Sequence, residues 1–141
     1  MGDFQEAKQY YEKALAIKTE QLGSEHVSVA TTYNNLGNVH SYLGDFQEAK
    51  QYYEKALAIN TEQLGSEHVS VAMTYNNLGN VHSDLGDFQE AKQYYEKALA
   101  IDTEQLGSEH VSVTRTRSNL ARLEALESDH VKRRRRKCTS L

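Results

Sequence analysis

The sequence predicts an all-α fold, a right-handed α-solenoid of antiparallel helical hairpins with about six helices, and three observations carry that reading. Gly2 to Leu43 recurs as Gly44 to Leu85 with changes only at Lys18/Asn60, Thr31/Met73 and Tyr42/Asp84, a 42-residue period. A repeat of this length is one supersecondary unit that cannot bury its apolar face alone, so copies stack. Within each period, Val29, Tyr33, Leu36, His40 and Leu43 recur at helical spacing, as do Phe46, Ala49, Tyr53 and Ala56. The chain has no proline, which leaves glycine as the punctuation between helices.

Met1 stands where Leu43 and Leu85 precede their glycines, so the first copy opens in a second helix, a half repeat over 2–22. Gly23-Ser24-Glu25-His26 then offers glycine as a helix stop and serine as a helix start. A first helix near 25–42 follows, and Leu43-Gly44-Asp45 turns the chain, with Asp45 and Glu48 placed as in a capping box. The same logic gives hairpins over 25–64 and 67–106. Small residues Gly37, Ala49 and Ala56 lie on the inner faces, where missing bulk lets helix axes approach to roughly 8 Å. The third copy follows the second to Val113 apart from Asp102, and then departs. Arg117, Arg122 and Glu124 replace Tyr75, Asn80 and His82, which suits a capping helix near 109–130. Residues 1–131 are thus expected to form the solenoid, and 132–141 a basic flexible tail.

Tyr33, Leu36-Gly37, Gly44, Ala49, Tyr53 and Ala56 fall in the signature order of the tetratricopeptide repeat family, which the sequence resembles over roughly residues 2–126. The 42-residue period, the Tyr33-Asn34-Asn35-Leu36 segment and the Leu22 to His26 connection are similar to the kinesin light chain and nephrocystin-like subgroup. Val27, Val69 and Val111 stand where that subgroup places proline. The resemblance implies a noncatalytic scaffold whose first helices line a concave peptide groove. The matching positions are Thr31, Asn34, Asn38 and Ser41, then Met73, Asn76, Asn80 and Ser83, with Arg115 and Arg122 on the last helix. Asparagine amides both donate and accept, so a ladder of them suits the backbone of an extended peptide, and the two arginines would favour acidic ones. A competing arrangement is self-assembly through the end helices, which the charged substitutions on the last helix oppose; a monomer is expected.

No catalytic motif is present: no phosphate-binding glycine loop, no His-Glu-x-x-His, no paired cysteines and no nucleophile elbow. The thrice-repeated Gly-Ser-Glu-His reads as a helix boundary, and His40 and His82 read as packing residues without further ligands. Neither an enzyme nor a cofactor or metal is expected. The lack of a long apolar run or a secretory leader pattern, and a single cysteine, favour a cytoplasmic chain.

Net charge is -4, but residues 1–131 hold ten basic against twenty acidic groups, and Lys132 to Lys137 add six basic ones. An acidic body without interleaved basic and aromatic residues argues against nucleic-acid binding by the solenoid. Three mechanisms compete for the tail. Cys138 lies fourth from the end after a basic run, the layout of a prenylated membrane anchor, although Ser140 replaces the usual aliphatic residue. Thr139 and Leu141 match a PDZ ligand, which prenyl processing would remove. The basic run alone suits nuclear import or a solvated end.

Overall fold

The structure is a computed structural model that describes residues 2–139. Among them it has six helices and no strand: α1 (Gly2–Leu22), α2 (Val27–Tyr42), α3 (Phe46–Leu64), α4 (Val69–Asp84), α5 (Phe88–Leu106) and α6 (Val111–Thr139). Each packs on the next, which makes an all-α solenoid. In addition α2 touches α4 and α4 touches α6, while α1, α3 and α5 do not touch one another. The first helices of the repeats therefore form the inner, concave layer.

The helix boundaries show how the punctuation works. Gly44 and Gly86 adopt φ +83°, and Gly86 sits at the centre of a Schellman motif. The Asp87 N–H donates to the His82 carbonyl at 2.8 Å and the Gly86 N–H to that of Ser83 at 3.1 Å. At the other connection the cap is not Ser24 or Ser66. His26 and His68 are the N-cap residues, each accepting from the backbone N–H of Ser28 or Ser70 at 3.0 Å through Nδ1. The imidazole reaches the second helical amide as a serine oxygen would, which moves these helix starts two residues beyond the expected ones. Asp45 and Asp87 make no side-chain cap. Their carboxylates point back to His40 and His82 instead.

The core runs through the hairpins and across the joints between them. Val29 and Ala30 of α2 pack with Ala56 and Ile59 of α3, and Ala49 and Tyr53 of α3 pack with Leu78 and Val81 of α4. The close approach anticipated from small residues occurs at Gly37 and Gly79. A Cβ on Gly79 would stand 2.5–2.9 Å from ring atoms of Tyr95. In α6 the equivalent residue is Ala121.

The largest departure lies at the end of the chain. The basic segment expected as a flexible tail continues α6 without a break as far as Thr139. The segment contains no glycine or proline to stop it, Lys and Arg are good helix formers, and cations near a helix C-terminus interact favourably with its dipole.

Candidate peptide-binding groove on the inner helices

The inner layer carries a cavity of about 510 Å³ whose lining includes Asn38, Ser41, Asn80, Ser83 and Arg122, five of the ten predicted groove residues. Two tyrosines fix its amides. Tyr53 Oη donates to Asn38 Oδ1 at 2.6 Å, and Tyr95 Oη donates in the same way to Asn80 Oδ1. Burial raises the pKa of both phenols, Tyr95 to about 12, where Arg122 works in the opposite direction. Each therefore keeps its proton at neutral pH and occupies the amide oxygen, which leaves the Asn38 and Asn80 NH₂ groups as donors.

Polarity changes along the cavity. Tyr42 lines it on α2, whereas the equivalent position on α4 is Asp84, which lies close enough to Arg122 to feel its charge. Burial raises the Asp84 pKa and Arg122 offsets part of that rise. Arg122 donates to Asn119 Oδ1 at 2.9 Å, which steadies the guanidinium at the α6 end.

The other predicted residues go elsewhere. Asn34 and Asn76 are buried between the inner helices, so the peptide ladder expected of them does not form. Asn34 Nδ2 donates to Thr74 Oγ1 at 3.2 Å, and Asn76 Oδ1 accepts from Asn119 Nδ2 at 3.1 Å. These bonds clamp α2 to α4 and α4 to α6, where an unpaired amide would cost about 1–3 kcal/mol. Met73 and Arg115 line a separate, smaller cavity of about 230 Å³ with Asp102. Thr31 is exposed and its hydroxyl bonds back to the Val27 carbonyl at 3.2 Å. Cys138 is exposed on the last turn of α6. Thr139 ends that helix, while its side chain and Leu141 lie outside what the structure describes.

Sequence reasoning missed Asn77, Asp84, Tyr53 and Tyr95 in the cavity lining. The signal was present. Asn77 and Asp84 stand one position beyond the chosen Asn76 and Ser83, and with Asn80 they recur at three and four residues.

Paired helices stacked at a constant period, with a polar channel along the inner layer, define the class of helical-repeat binding proteins. The tetratricopeptide repeat model matches residues 1–62, 38–104 and 70–132, and the chain belongs to that family. Repeats of this family generally mediate protein–protein interactions. A search of curated proteins finds no match. Among solved structures, BtubC (BKLC) from P. vanneervenii is 29% identical, with a TM-score of 0.82 over 99% of this chain and 59% of that one. Two structures of a kinesin light chain-type protein with nearly identical TPR-like repeats from Podosopora anserina, one of them a point variant, are each 31% identical. Their TM-scores are 0.74 and 0.71 over 93% of this chain and 62% of theirs. The chain thus spans about three fifths of the length of these three structures, which are kinesin light chain-like repeat proteins.

Proposed function

We propose that this chain is a noncatalytic adaptor that holds a short extended peptide against α2, α4 and α6. The observation that carries the reading is the pair of tyrosine-fixed amides, Asn38 and Asn80, on neighbouring inner helices. Their NH₂ groups and the Ser41 and Ser83 hydroxyls suit peptide carbonyls, which present the same acceptor whatever the side chains. Three inner helices about 10 Å apart span about 20 Å, enough for about six extended residues. Arg122 adds a preference for an acidic side chain or a terminal carboxylate at the α6 end, moderated by Asp84.

The test is a peptide array followed by calorimetry on the selected binders. Asn38→Ala with Asn80→Ala should weaken binding about tenfold or more, the size of one or two lost hydrogen bonds. Arg122→Ala should act selectively on acidic peptides. Binders that survive the double substitution unweakened would place the interaction away from this cavity.

A further inference from the structure

The turn between α4 and α5 assembles metal-ligating side chains that the groove does not use. His82 Nδ1 lies 3.4 Å from Asp87 Oδ2 and 3.4 Å from Glu90 Oε2, and the three ligand atoms fall within 4.8 Å of one another. Each member is held by a different element. The His82 ring is 2% exposed and stacked on Tyr94 at 5.3 Å, so it has little freedom to turn away. The Schellman bond from the Asp87 N–H to the His82 carbonyl sets the second ligand, and the first turn of α5 sets the third.

Distances separate two ways of reading this trio. An N–H···O hydrogen bond centres on about 2.9–3.0 Å, so two contacts at 3.4 Å are long for an imidazole shared between carboxylates. Ligand atoms about 2.0–2.2 Å from a tetrahedral zinc stand roughly 3.3–3.6 Å from one another, and both distances from His82 Nδ1 fall in that range. The preceding repeat supplies an independent observation. His40 is equally buried, its Nδ1 faces Asp45 and Glu48 at 3.5 and 3.9 Å, and neither of its ring nitrogens has a hydrogen-bond partner. A buried ring nitrogen without a partner is unfavourable by about 1–3 kcal/mol, and a cation between Nδ1 and the carboxylates removes that penalty at Nδ1.

The two trios are not equivalent, because α6 runs on past Glu127 and walls the second one. The resulting cleft, about 370 Å³, is lined by Asp87, Glu90, Glu127 and His130, with Arg134 as the opposing charge. His130 is seated against the edge of Phe88 at 5.7 Å. Three carboxylates, those of Asp87, Glu90 and Glu127, therefore gather on this cleft.

We propose that His82, Asp87 and Glu90 bind a first-row divalent metal ion of the zinc class, and that His40, Asp45 and Glu48 form a weaker second site. The imidazole nitrogen favours zinc, cobalt or nickel over magnesium or calcium, and the exposed carboxylates leave the remaining coordination positions to water. The ion clips the end of α4 to the start of α5. Micromolar affinity is expected, since two of three ligands are solvent-accessible.

Cobalt(II) titration of the tag-free full chain, read by d–d absorption and by competition with zinc, tests this. One tight equivalent should bind, and NMR of the imidazole nitrogens should report His82 as the ligand. Asp87→Asn with Glu90→Gln alters only exposed groups, so helicity should be kept in circular dichroism while affinity falls about tenfold or more. Asp45→Asn with Glu48→Gln should leave the tight equivalent in place. No cobalt binding up to about 1 mM would overturn the proposal. So would unchanged binding in the Asp87/Glu90 variant, or an NMR response confined to the exposed cap histidines His26, His68 and His110.

Discussion

The two ends of the stack are built from the same repeat but finish it differently. Helix α1 is a second helix altered only at Lys18, and the face that its copies α3 and α5 bury is left partly bare. Ile17 is 57% exposed, whereas Ile59 and Ile101 are 4% and 5% exposed in a local sequence that differs only at the next residue, Lys18, Asn60 or Asp102. Helix α6 is a first helix rewritten where a partner would sit, with Ala121 for Gly79, Arg117 for Tyr75 and Glu124 for His82. Burial in a solenoid is thus a property of the neighbour and not of the residue.

The largest effect should come from testing that inequality directly. Ile59→Ala should cost about 2–5 kcal/mol of unfolding free energy, and Ile17→Ala, identical on paper, about 1 kcal/mol or less in parallel urea melts. Equal losses would break the comparison. Gly79→Ala should cost about 1–3 kcal/mol, because the Tyr95 ring has no room to give and overpacking outweighs alanine's better helix propensity. The reverse change at the cap, Ala121→Gly, should cost only the propensity difference of about 1 kcal/mol. A larger loss there would mean that the alanine methyl packs as well as caps.

The smallest effect concerns Asp102, which replaces Asn60 at a buried position of the second helix. Burial raises its pKa, with Arg115 and His110 partly opposing the shift. A carboxyl whose folded pKa is raised destabilises the fold while it is ionised, so the penalty is present at neutral pH and fades as pH falls through the folded value. Asp102→Asn should therefore raise Tm slightly at pH 7, with a gain that shrinks towards about pH 4. A gain independent of pH would assign the effect to packing.

Much of the architecture was legible because periodicity and glycine placement act locally. The six helices, the two hairpins and the tight seat at Gly37 follow from spacing, from a residue without a Cβ, and from the need of each hairpin for a neighbour. The groove was half legible. Asn38, Asn80, Ser41, Ser83 and Arg122 fell where the repeat register put them, but Asn34 and Asn76 lie about one helical turn before Asn38 and Asn80. The local pattern does not record which of the two turns meets the adjacent inner helix and which meets solvent.

The sequence by itself determined the period, the helices and their order, since these depend on contacts within about four residues and on the stacking that repetition compels. Only the tertiary structure decided which asparagines clamp helices and which line the inner cavity, because that depends on the rotation of one helix against the next. It also set the orientation of His82 towards Asp87 and Glu90 across a Schellman turn, and the course of α6 past its last repeat position. Both are three-dimensional consequences of a backbone that glycine bends at residue 86 and nothing bends at residue 128.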